Sequence, residues 1–301
     1  MRPVPVRAGV VCLLGAWLAA ALAGCGSESK APRAGSQTRL IDADAVVSAY
    51  NARATRFSSL WARASVVLEG EDAEGRDLRE RAEGHLQVIP PTDIAISLGK
   101  LGETNLYFGS NDLYYWWFDM VDSEAKAAVF GRHDLVTAAK VDLLGLPIQP
   151  LDLIETLGIT PLPTDLGRVV ARPGPEPGTI VLAAPTHRGV RRITVDQARS
   201  EPTRIELVGA GGRVLLAVEL SRYRMLAGLD EGEDPIRVPE RAIVRMAGFD
   251  GELRISLHEP ERRNIRAVAF NLGKLLDVYR ITDLTDLDEA ENASVEPEPS
   301  P

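Results

Sequence analysis

Two cysteines and four histidines are the only thiols and imidazoles in the chain, and their spacing limits the chemistry it can do. His85, His133, His187 and His258 are scattered, and none stands at metal-site spacing from a second ligand. His85 and His258 fall on the polar positions of alternating segments, while His133 (GRHDL) and His187 (PTHRG) fall in loop-like sequence; exposure is the ordinary state of all four. No serine sits in a G-x-S-x-G elbow, and no G-x-x-x-x-G-K-[ST] phosphate loop occurs. The carboxylates Asp119 and Asp122, and Glu231, Glu233 and Asp234, lie in polar turns as solvated charge. Gly209-Ala210-Gly211-Gly212 is glycine-rich, but RVLLAVEL after it alternates as a strand instead of opening a helix, so a hairpin turn is expected and not a nucleotide site. No catalytic residue, metal or dissociable cofactor is expected, and nothing argues for an enzyme.

Cys25 is different because of what precedes it. Arg2 and Arg7 open the chain, and Val10 to Ala23 (VVCLLGAWLAAALA) follows without a charge. That is the layout of a secretory signal segment, within the roughly 7–15 apolar residues expected and short of the ~20 that span a bilayer. It closes in Leu22-Ala23-Gly24-Cys25, which resembles the lipobox of bacterial lipoproteins. The resemblance implies that the Cys25 thiol takes a diacylglycerol and that residues 1–24 are removed. A core cysteine would not be followed by Gly26-Ser27-Glu28-Ser29-Lys30-Ala31-Pro32, which is polar and flexible. Each buried methylene adds ~0.8 kcal/mol of membrane affinity, and two acyl chains give stable anchoring. Gly26, where aspartate would signal retention, implies transfer to the outer membrane, facing the periplasm.

Removing residues 1–24 takes two arginines and no acid from a formal charge of −9, leaving −11. An acidic chain repels a phosphate backbone, so nucleic acid is not an expected partner. Cys12 leaves with the signal segment, so the mature fold has neither a disulfide nor a cysteine metal site. Its stability must come from a core, and with 45% apolar residues the chain can build one. Residues 25–40 are expected to be a flexible tether whose span, at ~5–6 Å × √n, is about 20 Å. Residues 41–282 are expected to form one domain. Residues 283–301, with seven acids, no bases and the run EPEPSP, have the composition of a disordered acidic tail.

Within the domain, Val46, Val47, Tyr50, Ala54, Phe57 and Trp61 recur at helical spacing over 42–61, with Asp42 or Asp44 placed to cap the start. The period then changes to two. Ala62, Ala64, Val66 and Leu68 alternate with Arg63, Ser65 and Glu69, and Leu78, Ala82, Leu86 and Val88 oppose Arg79, Arg81, Glu83, His85 and Gln87. The same alternation returns in Ile94-Ile96-Leu98, Val214-Leu216-Val218-Leu220 and Leu253-Ile255-Leu257. Turn sequences at Glu74-Gly75, Asn111-Asp112, Gly209–Gly212 and Asp250-Gly251 join these runs as antiparallel neighbours. About ten strands fit, with a short helix at Pro150–Gly158, a loop at Arg172–Gly178 and a last helix at Leu272–Tyr279. A sheet with one apolar face must curl and be covered. The expected fold is mainly β (α+β): a curved antiparallel sheet forming an incomplete β-barrel, its concave side covered by a few α-helices around an apolar cavity.

Two features are unusual. Leu113-Tyr114-Tyr115-Trp116-Trp117-Phe118 puts large aromatics on both faces of one strand. Either that strand is covered on both sides, or Trp116 and Trp117 contact a membrane or a partner. The helix Leu151–Leu157, followed by Gly158-Ile159-Thr160-Pro161-Leu162-Pro163, is either a plain cap or a movable lid.

Together the lipobox, the helix ending FSSLWARASVVLEG and the strands of HLQVIPPTDIAISLGKLGETNLYFGSNDLYYWWF resemble the LolA/LolB-like superfamily of lipoprotein-localisation factors. The similarity covers roughly residues 42–130, with general strand order beyond. It implies a half-barrel with a helical lid and a cavity for acyl chains, and, in the lipidated branch, a receptor that takes lipoproteins from a periplasmic carrier. The chain departs from the family pattern by its length, its extra strands after residue 165 and its acidic tail. Two functions follow as expectations. In the first, the domain binds acyl chains of lipids or lipoproteins in a cavity lined by Val66, Leu68, Leu86, Val88, Ile94, Ile96, Leu106 and Phe108. In the second, an envelope structural or signalling lipoprotein uses the same fold as an interaction surface, with its interior filled.

Overall fold

The computed structural model describes residues 42–71, 75–100, 102–137, 140, 150–162, 168–186, 189–228 and 232–289. Cys25 and the expected tether, His187, Glu231 and the end of the acidic tail lie outside the described residues. The described residues all belong to one compact unit.

The first helix, α1 (Ala43–Ala54), starts where the Asp42 carboxylate accepts a hydrogen bond from the Ala45 N–H at 3.0 Å. It buries Val47, Tyr50 and Ala54. The apolar spacing extends this helix to Trp61, but the structure ends it at Ala54. The Arg56 and Phe57 N–H groups bond back to Arg53 and Ala54 in a closing turn. Leu60 and Trp61 already pair with Val88 and Gln87 in the sheet, so strand pairing takes residues that also fit the helical stripe.

Among the described residues fourteen strands follow, against about ten expected: β1 (Leu60–Glu71), β2 (Asp77–Ile89), β3 (Asp93–Lys100), β4 (Glu103–Ser110), β5 (Tyr114–Asp119), β6 (Ala127–Arg132), β7 (Val170–Pro173), β8 (Thr179–Thr186), β9 (Gly189–Asp196), β10 (Glu201–Val208), β11 (Val214–Met225), β12 (Arg237–Met246), β13 (Gly251–Glu261) and β14 (Asp283–Asp286). The four-residue strands β7 and β14 are too short to show a period. Arg172 and Pro173, expected in a loop, belong to β7. The acidic tail begins later than residue 283. Asp283–Asp286 pairs with β6, Leu287 is buried, and the Asp288 carboxylate meets the Lys140 ammonium at 3.0 Å. Local composition is acidic here, but an open strand edge and one leucine fix the backbone.

All strands belong to one sheet, in the order β14-β6-β5-β4-β3-β2-β1-β13-β12-β11-β10-β9-β8-β7. Neighbours are antiparallel except β14, which lies parallel to β6. Two meanders are thus joined where β1 pairs with β13, Val66 opposite Ile255 and Leu68 opposite Leu253. The end strands β7 and β14 do not pair with each other, so the barrel is incomplete.

The inner face carries Ala62, Leu86, Ile94, Phe108, Ile193 and Val218 in one core with α1 and with Leu153, Ile154 and Leu157 of a second helix segment, α2 (Pro150–Thr156, then a turn). The third helix, α3 (Leu272–Tyr279), has the limits expected from the sequence but lies on the other side of the sheet. With the 3-10 turn Ala267–Phe270 it packs on Ala95, Tyr107, Trp116, Phe118 and Ala128, which alternate with the inner-facing residues of β3–β6. Over the rest of the outer face, charge replaces helix. Arg192, Glu206, Arg204, Glu219, Arg245, Glu252, Arg254, Glu69 and Arg79 form a continuous ladder of ion pairs from β9 to β2, with contacts from 2.5 to 3.9 Å.

Candidate functional site

Along the inner face of β3, Ile94 is fully buried, Ile96 and Leu98 line open space, and Lys100 reaches the rim. Along β2 the same progression runs from the buried Val88 and Leu86 through Ala82 to Glu80. β1 adds Val66 and Leu68, β13 adds Leu253 and Ile255, and β4 and β5 add Leu106, Phe108 and Trp117. Leu153 of α2 closes the inner side. These residues bound an apolar cavity of about 580 Å³, within the roughly 300–1,000 Å³ of small-molecule sites. It exists because α1 and α2 fill only one end of the concave face. Toward the far end no described helix lies over the strands.

Of the eight residues expected to line a cavity, the structure brings five to it: Val66, Leu68, Ile96, Leu106 and Phe108. The other three, Leu86, Val88 and Ile94, are corrected to packed core. They lie on the same face but one or two positions deeper, in the core cluster that includes Val47, Tyr50 and Phe57. Sequence reasoning missed Ala82, Leu98, Trp117, Leu153, Leu253 and Ile255. The alternation that would have found Leu253 and Ile255 was visible, but not that β13 pairs with β1.

Trp116 and Trp117 are corrected as surface contacts. Trp116 is 0% exposed beneath the outer covering, and the Cβ of any larger residue at Gly109 would come within 2.8 Å of its ring. Trp117 faces inward, edge-on to Phe108 at 5.4 Å between ring centres, as cavity wall. The aromatic strand is covered on its outer side, while its inner side forms part of the cavity wall. Tyr107 fastens the outer cover, its hydroxyl donating to the Ala269 carbonyl at 2.7 Å, and the Asn111 amide donates to the Phe270 carbonyl at 3.1 Å. Burial pushes the Tyr107 phenol well above its ordinary value, with the Tyr279 phenol adding to the shift, so it stays a donor.

The segment after α2 is fastened to α1. The Tyr50 hydroxyl donates to the Thr160 carbonyl at 3.1 Å, and Arg53 donates to the Gly158 carbonyl at 2.7 Å. Asn51 bonds Leu162 twice, giving to its carbonyl and accepting from its N–H. Arg191, buried on β9, donates to the Thr160 hydroxyl at 2.9 Å and faces Glu155 at 3.4 Å. Gly158 has φ +66°, and a Cβ there would fall 2.4 Å from the Pro202 ring, so both backbone and space require glycine. Burial raises the Tyr50 phenol, opposed by the nearby Arg191 and Arg53 guanidinium groups.

At the rim, the Lys100 ammonium meets a Glu80 carboxylate oxygen at 2.8 Å, and Arg81 pairs with Glu83 at 2.7 Å. His85 and His258 are exposed on the outer face, and His133 meets the Asn111 carbonyl at 3.0 Å through Nε2. Among the described residues no three His, Cys, Asp or Glu side chains are grouped to hold a metal.

No protein-family model matches the sequence, and no curated protein is similar to it in sequence. Solved structures share its fold. A DUF1329 family protein from Desulfovibrio piger superposes with a TM-score of 0.52 at 11% identity, over 77% of this chain and 97% of that one. A domain described as an outer membrane lipoprotein-sorting protein, from Vibrio parahaemolyticus, gives a TM-score of 0.52 at 11% identity, over 78% and 99%. A LolA superfamily protein from Nitrosomonas europaea gives 0.49 at 11% identity, over 77% and 99%. At this identity the likeness is one of fold alone: the incomplete, helix-covered barrel is shared with the first two of these structures.

Proposed function

We propose that this protein is a lipoprotein of the cell envelope, anchored through Cys25, whose domain binds acyl chains of lipids or lipoproteins without covalent chemistry. The supporting observation is the cavity: about 580 Å³ bounded mainly by aliphatic and aromatic side chains, the charges among the described lining residues being Glu80, Arg81 and Lys100 at its rim. Such walls gain ~25 cal/mol for each Å² of apolar surface withdrawn from water and offer little to hold a polar ligand. The ligand source in this reading is the membrane itself or a lipoprotein delivered by a periplasmic carrier, at the outer membrane, within the short reach of the tether.

Native mass spectrometry of the full chain purified in mild detergent tests this. Bound acyl lipid, separate from the covalent anchor, is the expected result. Ala82→Phe, which fills the cavity from β2, is expected to remove that lipid while the protein still folds. Absence of lipid from the unaltered chain would favour the other use of the fold, as an interaction surface. Cys25→Ser separates anchoring from binding: loss of function in a deletion strain with the cavity still occupied would make the anchor part of the mechanism.

A further inference from the structure

The cavity meets water at a defined pair of opposite charges. In the register of the sheet, Glu80 stands opposite Leu68 and is the next inward position after Ala82, and Lys100 is the next inward position after Leu98. Both side chains continue the rows that form the apolar wall, on adjacent strands, and they close on each other at 2.8 Å. They are also more than half exposed, so their mutual attraction is weak and exchangeable for other partners. From Ile96 to Lys100 the wall runs four residues, about 13 Å at ~3.3 Å per residue, and ends there. An amphiphile whose chain lies along that wall has its head at this pair.

Resting on the acyl-binding reading above, we propose that Glu80 and Lys100 select the headgroup, and that the ligand is a zwitterionic phospholipid of the phosphate–ammonium type. Among the described residues each charge that lines the cavity is paired with its opposite: Glu80 with Lys100, and Arg81 with Glu83 just outside. A site for a free fatty acid or an anionic phospholipid would carry surplus cation, and one for a cationic amphiphile surplus acid. A balanced pair is matched by a head that itself carries both signs, with Lys100 taking the phosphate oxygens and Glu80 the ammonium. The chain's formal charge of −9, or −11 without residues 1–24, adds to the discrimination by repelling anionic lipid at long range.

The test uses the full chain in mixed detergent micelles containing equal amounts of phosphatidylethanolamine and phosphatidylglycerol, with bound lipid read by native mass spectrometry. The unaltered protein is expected to hold the ethanolamine lipid in about tenfold excess, the discrimination of one charge-assisted contact. Glu80→Gln is expected to collapse that excess toward equality or reverse it, because the surplus Lys100 then favours the anionic head. Lys100→Gln is expected to weaken both phospholipids against uncharged diacylglycerol. Both positions are exposed, so neither change threatens folding. Equal binding of the two phospholipids by unaltered protein, or an excess that both variants retain, overturns the headgroup assignment and leaves the cavity reading standing. If no acyl lipid binds at all, both fail together.

Discussion

The two wings of the sheet solve the same problem in opposite ways. In β8–β12 the inner face is filled: Ile180, Leu182, Ile193, Val195, Ile205 and Val218 are each 3% exposed or less, and the outer face is left to water under a ladder of ion pairs. In β3–β6 the outer face is apolar and sealed by the 267–279 segment, while the inner face is left partly open as the cavity. A strand cannot leave both faces bare. Where the inside is left open, apolar burial moves to the outside, and Tyr107, Trp116 and Phe118 supply it. The open wing therefore takes its rigidity from a cover on the face opposite the cavity, so the wing keeps an apolar core on one side.

The comparison breaks hardest at the two adjacent tryptophans. Trp116→Ala, beneath the outer cover, is expected to cost ~3–5 kcal/mol in chemical denaturation, the usual loss for a large buried aromatic. Trp117→Ala, one residue on but facing the cavity, is expected to cost only about 1–2 kcal/mol because its ring is not fully enclosed, while lowering acyl-lipid occupancy. Equal losses from the two would mean that the inner face is no more open than the outer. A smaller effect is expected from Tyr107→Phe, about 1 kcal/mol for the buried bond to Ala269, with faster amide exchange confined to the 267–279 segment.

On the filled wing, Glu219→Gln removes the carboxylate shared by Arg204 and Arg245. The expected cost is under about 1 kcal/mol, and it should vanish in high salt. The pH dependence follows from the same ladder. Hydrogen bonding from Arg254 is the main cause holding the Glu252 carboxyl below its ordinary value, with Arg245 adding to it. A depressed carboxylate stabilises the fold above its ordinary pKa, so this contribution is lost as pH falls below about 4, through the depressed value. The open wing carries the opposite case. Burial, with the nearby Asp112 charge, raises Asp93 despite a bond from Thr92. A raised carboxyl contributes stability at low pH that is lost as pH rises through it, so Asp93→Asn is expected to raise the melting temperature slightly at pH 7 and not at pH 3. No gain at pH 7 would show that Asp93 is adequately solvated.

Local pattern carried much of this fold. Alternation places β1, β2, β3, β11 and β13 within a few residues of their limits, and the last helix is found at Leu272–Tyr279, because one buried face imposes the period in each case. What alternation could not supply is partnership. Nothing in Leu253-Ile255-Leu257 says that it lies against β1, so the side of the cavity formed by Leu253 and Ile255 went unrecognised. The paired aromatics of β5 indicate that both faces are apolar but not what lies against each. Glu80 and Lys100 look like ordinary surface charges until the register puts them in line with Ala82 and Leu98. The three core residues taken for cavity wall show the same limit: a face can be read from one strand, depth along it only from the helices that fill it.

The joining of β1 to β13 also fixes the order in which the molecule can be completed. β1 pairs on one edge with β2, the next strand in the chain, but its other edge waits for a strand near the far end of the chain. A chain that emerges N-terminus first therefore exposes an unpaired, largely apolar edge until almost all of it has been delivered. The wall formed by Leu253 and Ile255 is then among the last parts assembled, so a chain interrupted before β13 would lack both that side of the cavity and the 267–279 cover of the first meander.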